Sequence, residues 1–475
     1  MTAKGRLKLQ TNTKKKTSKL GSRLIGMAIG ISLLLTVGNL HRTIISFQNQ
    51  QLISFPTSSF ASDKYQPIEF GATKYLAQQD FSEIDYVAKQ LKYSGSSVAE
   101  LAELLSQNAT TESAKARIIY AWITQHITYD VPAFWAAVNY DKYPEVNPEK
   151  VLRDRTTICS GFSNLYYALA SEMNLEAVIV IGYGKGATPE DDARFAKVNH
   201  AWNAVKIDQA WYLLDATWGA GSTINEQFVP EYKPYYFATA PAEFINSHYP
   251  QDQGWQLLSK TFSRTEFDNL PSITAQFYNL GIELVSHHQK QINAAKRVDI
   301  KLKAPQNVVA LASLSQNDQE ITDSVVLVNR QEENLMINVA PPEVGTYNLT
   351  IFAKEKDDLN QYEEVINYQI KATNSTARLP NIYSHFHQYQ GSLIEPLVAD
   401  LKPNWSTYFN LIVPEAIDVQ IVHTDTKEWT PLNGYGNYFA GHVDIQSGNI
   451  SIVAKFPGDE QYWQLVEYQV KSSDK

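Results

Sequence analysis

Apolar and polar positions alternate along this chain in three regimes. From Phe81 to Ser106, residues Ile84, Val87, Leu91, Val98, Leu101, Leu104 and Leu105 recur at three- and four-residue intervals. That spacing predicts a helix with one apolar face. A second helical run starts near Ser113, a candidate N-cap, and passes through Ile118, Ile119, Trp122, Ile123 and His126. It ends around Tyr129 and Asp130, ahead of Pro132, because the residue before a proline is pushed out of the helical region. Residues 131–157, with Pro132, Pro144 and Pro148, read as irregular. A helical stripe returns with Cys159, Phe162, Leu165, Tyr166, Leu169 and Met173. Ala177 to Tyr183 is a β-branched apolar run, hence a buried strand. Gly182, Gly184 and Gly186 read as the start of a polar loop that extends to Lys197. Two further strands follow, HAWNAVKI and AWYLLDATW, joined at Asp208-Gln209.

Beyond Pro271 the period changes to two. VDIKLKA, SVVLVNR, LMINVA and YNLTIFAK occupy residues 297–372, and YFNLIV, DVQIVHT, NISIVAKF and WQLVEYQV follow within 380–475. Short alternating strands at regular spacing predict β-sandwich modules of immunoglobulin-like type. The expected organisation is a basic and apolar leader over 1–47 and a linker over 48–75. A mixed α+β domain over 76–270 and two β-sandwich modules over 295–375 and 380–475 complete it.

Charge sharpens the reading of the leader. Nine of the 41 basic residues fall in residues 1–62, which hold no Asp or Glu, so the remainder sets 32 basic against 50 acidic side chains. A body this acidic excludes nucleic acid as the expected partner, because phosphate binding needs a basic footprint. Lys4 to Arg23 instead precede an apolar segment, Leu24 to Leu40. That order marks a membrane-targeting element, and the positive-inside rule leaves the body outside the cytoplasm. The segment reads as an uncleaved anchor; Ser59-Phe60-Ala61 is the alternative cleavage point. The expected location is therefore membrane-anchored or secreted.

The chain holds one cysteine, Cys159. A single thiol cannot form an internal disulfide, so it is either a buried apolar group or a reactive one. Its position favours reactivity. Thr156 and Thr157 precede it, Ser160 and Gly161 follow, and the helical stripe begins there. Free N–H groups at a helix N-terminus favour a thiolate and are candidate oxyanion donors, while Gly161 leaves room for a substrate backbone.

A cysteine nucleophile needs a base, and the base needs a group to orient it. If Asp208-Gln209 is the centre of a two-residue hairpin, Trp202 faces Asp215 and His200 faces Thr217. His200 and Asp215 are then diagonal neighbours on one face. Asn203 points to the other face and is structural.

These residues carry a resemblance. TTICSGFSNLYYALASEMNLEAVIVIGYGKG, followed by NHAWNAVKIDQAWYLLDATWGAG, resembles the core of the transglutaminase-like superfamily, especially its bacterial and kyphoscoliosis-peptidase-like members. The cysteine that opens a helix, the His-Ala-Trp-Asn strand and the Leu-Asp-x-Thr-Trp strand occur in that order. The resemblance spans roughly residues 110–240. It implies a papain-like α+β fold, with Cys159 as nucleophile, His200 as general base and then acid, and Asp215 as the orienting carboxylate. It also implies acyl transfer on protein or peptide amides through a thioester, ending in hydrolysis or in transamidation. The trailing modules are similar to those of the kyphoscoliosis-peptidase group and are candidates to bind a surface partner. A peptidase or amidase is the expected outcome. A cross-linking transglutaminase, or a silent adhesion or scaffold protein with a relic triad, are the alternatives.

Other residues draw plainer readings. Trp202, Trp211 and Trp218 read as packing, with Trp202 the one expected to line the cleft and to touch substrate. His126, His248, His423 and His442 lie far apart in sequence, and no zinc-ligand spacing emerges. No metal and no cofactor are expected.

Overall fold

A computed structural model of the chain describes residues 76, 79–185, 198–321, 324–374, 378–446 and 448–470. The basic leader and Leu24 to Leu40 lie outside these residues. Among the described residues no helix is long and apolar enough to cross a membrane. The chain divides into two compact units between Phe262 and Ser263.

The first unit opens with helices. The run from Phe81 to Ser106 forms two of them, α1 (Ser82–Gln90) and α2 (Val98–Ser106), instead of one. The intervening segment holds Gly95, and the side chain of Ser97 caps α2 by accepting from the Glu100 N–H. Helix α3 (Glu112–His126) is buried along most of its length, and Thr111 caps it through the Ala114 N–H. Residues 131–157 depart from the irregular reading: they hold α4 (Val131–Tyr140) and α5 (Pro148–Asp154). Pro132 and Pro148 stand in first turns, where no intrahelical N–H is needed, and the side chains of Asp130 and Asn147 cap the two starts. The prolines thus begin helices there.

Helix α6 (Cys159–Glu172) buries Phe162, Leu165, Tyr166 and Leu169 against α3 and a five-stranded antiparallel sheet. Each such side chain contributes roughly 1.5–3 kcal/mol on leaving water. The sheet consists of β1 (Ala177–Gly184), β2 (His200–Ile207), β3 (Ala210–Leu214), β4 (Phe237–Thr239) and β5 (His248–Pro250). Their spatial order is β4-β3-β2-β1-β5. Its far face carries a second apolar layer of Val180, Trp202, Leu213, Phe244 and Trp255.

The β2–β3 hairpin keeps the expected register: Asn203 pairs with Leu214, and Ile207 with Ala210. Asp208 and Gln209 both take positive φ, 48° and 68°, as a type I′ turn requires. One element differs. The strand ends at Leu214, and Asp215 caps a short helix, α7 (Ala216–Gly219), so Thr217 does not lie opposite His200. Gly182 and Gly184 also differ from the loop reading, because both belong to β1.

The second unit holds two β-sandwiches, each a six-stranded sheet facing a four-stranded one. The first begins earlier than residue 295. Ser272–Ile273 and Gln291–Ala294 already pair with the strand Glu363–Ala372. The second runs from Asn381–Ile382 to Trp463–Val470 with the same strand order.

Candidate active site

Three elements converge on Cys159. The residue opens α6 after Ile158, whose carbonyl accepts from the N–H groups of Gly161 at 2.9 Å and Phe162 at 3.2 Å. The first-turn N–H groups of Cys159 and Ser160 are left without an intrahelical acceptor, as at any helix start. Cys159 is half-buried and within hydrogen-bonding reach of His200. His200, on β2, is buried, and its Nε2 lies 2.8 Å from Asp215 Oδ2. Since Nε2 is engaged by the carboxylate, Nδ1 is the ring nitrogen available to the sulfur.

Asp215 is the most enclosed member, with no exposed surface. Its Oδ1 accepts from the backbone N–H groups of Thr217 at 2.8 Å and Trp218 at 3.2 Å. These bonds are the cap of α7, so one oxygen ties down the helix while the other serves the imidazole. Its own N–H donates to the Tyr236 carbonyl at 2.9 Å. Burial alone would raise the Asp215 pKa. The His200 charge, with hydrogen bonds from His200 and His248, overrides it and holds the carboxyl well below the usual carboxylate range. Burial likewise opposes charge on His200. The adjoining Asp215 carboxylate, and then Cys159, outweigh burial and raise the imidazole to about 10. The site therefore favours the charged form of His200, between a dry carboxylate and a half-buried thiol.

A second histidine completes the cluster. His248 Nε2 lies 3.0 Å from the same Asp215 Oδ2. It arrives on β5, which pairs with β1 so that Gly184 faces His248 and Gly182 faces Pro250, while Gly182 also faces His200 on β2. Strand β1 thus carries the two histidines on its two edges. The glycines make this possible. A Cβ on Gly184 would lie 3.2 Å from the His200 ring, and one on Gly182 would lie 2.2 Å from the Tyr249 carbonyl oxygen. The ligand atoms of His200, Asp215 and His248 all lie within 4.8 Å of one another. The trio therefore has the donor set of a small metal site, although here its atoms are hydrogen-bonded to each other.

The two residues expected to contact substrate are both buried. Trp202 is 1% exposed. Its ring meets Phe244 at 6.0 Å and His248 at 5.1 Å, so it packs beneath the triad and does not line a cleft. Gly161 is buried, and a Cβ there would lie 1.9 Å from Thr157 Oγ1; the small residue admits a neighbouring side chain in place of a substrate backbone. Trp218 is half-buried beside both imidazoles, 5.5 Å from the His200 ring and 4.5 Å from the His248 ring. Asn203 is buried away from the triad and donates to the Ser163 and Val178 carbonyls.

Comparison with known proteins finds two matched domains in the chain. Residues 99–216 match the model of the transglutaminase-like superfamily, and residues 264–383 match that of the KY-like, immunoglobulin-like domain. The chain is 32% identical to the human kyphoscoliosis peptidase over 303 residues, covering 62% of this chain and 44% of that protein. The Mus musculus kyphoscoliosis peptidase is 30% identical over 390 residues, covering 80% and 53%. Hillarin of Drosophila melanogaster is 29% identical over 223 residues, covering 44% and 26%. The chain thus spans about half the length of the two mammalian relatives. With both domains matched in order, the chain joins a transglutaminase-like domain to a KY-like, immunoglobulin-like domain, consistent with a kyphoscoliosis-peptidase-like protein.

Proposed function

We propose that this chain is a cysteine acyl-transfer enzyme that acts on protein or peptide amides, with hydrolysis as its principal outcome. The observation that carries the proposal is the graded burial of Cys159, His200 and Asp215. The sulfur is half-buried and the imidazole 8% exposed, while the carboxylate is fully enclosed at 2.8 Å from the ring. This arrangement suits covalent catalysis, in which the nucleophile must meet substrate and the orienting charge must stay dry.

In the proposed reaction the Cys159 thiolate adds to the amide carbonyl. The N–H groups of Cys159 and Ser160 face the developing oxyanion. The His200 imidazolium gives its Nδ1 proton to the departing amine, the C–N bond breaks, and a thioester remains. His200, now neutral, takes a proton from the incoming water, which attacks the thioester and releases the acid. Asp215 holds the ring through Nε2 in both half-reactions. An amine in place of water gives an isopeptide by the same steps. The mammalian relatives carry the name peptidase, which favours water as the acceptor.

Mass spectrometry of products from a labelled peptide, with and without added amine, tests the assignment. The expected product is the hydrolysed peptide even when amine is present. Exclusive isopeptide formation would sink the peptidase reading.

The proposed setting is outside the cytoplasm, on a membrane anchor formed by Leu24 to Leu40 behind the basic residues Lys4 to Arg23. A reporter joined after residue 62 is expected to be exported, and a cytoplasmic reporter would refute the placement. The β-sandwich modules, in this reading, present the enzyme to a surface partner.

A further inference from the structure

We infer that His248 is a positioning residue of this site: a neutral second imidazole that shares the Asp215 carboxylate and thereby limits its pull on the His200 proton. The inference rests on the triad reading above and adds a member to it.

The geometry fixes two of the hydrogens. An ionised carboxylate only accepts hydrogen bonds. Both Nε2 atoms, at 2.8 and 3.0 Å from Asp215 Oδ2, must therefore carry hydrogen. Ser247 Oγ lies 2.8 Å from His248 Nδ1. The same hydroxyl reaches the Phe244 carbonyl at 3.4 Å, so Nδ1 faces a neutral group. The surroundings keep the ring neutral. Phe244 stacks on it at 3.9 Å, and Trp218 and Trp202 close two further sides. The titratable groups that face it are Asp215, His200 and Tyr236. Burial pushes His248 down to about 4, partly offset by Asp215, and burial pushes Tyr236 up. The surroundings thus favour charge on one of the two histidines on this carboxylate and disfavour it on the other.

That asymmetry gives His248 a purpose. With two backbone N–H groups on Oδ1 and two imidazoles on Oδ2, Asp215 has four donors and one orientation. When His200 gives up its Nδ1 proton, its Nε2 hydrogen stays on Asp215, so the carboxylate keeps all four partners and does not turn. The extra donor also disperses charge on Oδ2, so the carboxylate attracts the His200 proton less strongly. His248 is fully buried and behind the triad. It acts through Asp215, and no substrate contact is assigned to it.

The test is the titration of His200, followed through its ring NMR signals in the full chain, for the parent protein and for His248→Phe and His248→Gln. Phenylalanine fills the aromatic box without a donor. The His200 midpoint is then expected to rise by about half a unit or more, and peptide hydrolysis to lose roughly tenfold in kcat at unchanged KM. Glutamine returns a non-titrating N–H, and the midpoint and kcat are expected to return close to the parent's. An unchanged His200 midpoint in folded His248→Phe would overturn the inference. If that variant does not fold, Ser247→Ala carries the test, with a smaller shift expected from loss of the hydroxyl at Nδ1. No shift there overturns the inference equally. A His200 titration that moves on chelator treatment of the parent would also overturn it, in favour of a metal held by the trio. The midpoint comparison needs no turnover. If the parent hydrolyses no amide but the midpoint moves as stated, the functional reading fails and the role of His248 stands.

Discussion

Asp215→Asn keeps the size of the buried carboxylate and removes its charge. The native side chain accepts four hydrogen bonds, two from backbone N–H groups at 2.8 and 3.2 Å and two from imidazoles at 2.8 and 3.0 Å. An asparagine has one oxygen and one NH2. With the oxygen on the α7 cap, the NH2 meets the two Nε2 atoms. His200 is then forced to accept at Nε2 and carry its hydrogen at Nδ1, so it cannot take a proton from Cys159. With the oxygen on the imidazoles, the NH2 opposes two N–H donors and the cap is lost. Removing one side of a buried charged cluster costs about 3–5 kcal/mol. At 2–4 °C per kcal/mol for a domain of 150–250 residues, that is a fall in Tm of roughly 6–20 °C. His200 also loses the charge that outweighs burial and holds its pKa at about 10. Catalysis is expected to fall by about 10⁴-fold, the size of the wrong-tautomer penalty in a Ser-His-Asp triad. Alkylation of Cys159 reads the site directly, because the chain has no other thiol. A folded Asp215→Asn protein that hydrolyses peptide and alkylates as fast as the parent refutes the reasoning.

Two further outcomes follow from the same cluster. Gly182→Ala places a Cβ 2.2 Å from the Tyr249 carbonyl. It is expected to cost about 1–3 kcal/mol in a denaturant titration and to draw His248 off Asp215. Gly184→Ala meets the His200 ring at 3.2 Å, so it should leave stability nearly unchanged and slow Cys159 alkylation several-fold. The pH dependence of Tm has a worked sign. His248 has a folded pKa of about 4, below the unfolded value of 6.5. Its contribution is complete above pH 6.5 and is lost as pH falls towards 4, by on the order of 3 kcal/mol. His200, raised to about 10, contributes fully below pH 6.5 and loses its contribution as pH climbs through 10. Tm is expected to decline on both sides of this window, and His248→Phe is expected to flatten the acid side. An acid limb unaltered by that substitution contradicts the assignment.

The approach of His200 to Asp215 is legible in the sequence because a two-residue hairpin has one register. Asp208 and Gln209 adopt the I′ turn, Asn203 meets Leu214, and His200 reaches Asp215. The strand periodicity did not reveal that Asp215 leaves the ladder to cap α7, since a four-residue helix shows no period. His248 was hidden for a different reason. It stands 33 residues beyond Asp215 in a three-residue strand, and it joins the sheet across β1 from His200. A faint signal existed in Gly182 and Gly184, small residues in a bulky strand, which mark where rings and backbone crowd β1. Pro132 and Pro148 suggest irregular backbone, yet Asp130 and Asn147 precede them as caps. In the first sandwich, two-residue strands such as Ser272–Ile273 carry too few positions to show alternation.

The account turns on whether Cys159 is a nucleophile activated by His200. Its most direct test is the rate of Cys159 alkylation by iodoacetamide near neutral pH, in the parent chain and in His200→Ala. Rapid labelling of the parent, slowed by about 10²-fold or more in the variant, is the predicted result. Parent labelling as slow as that of a cysteine in a free peptide, with no change in His200→Ala, contradicts it.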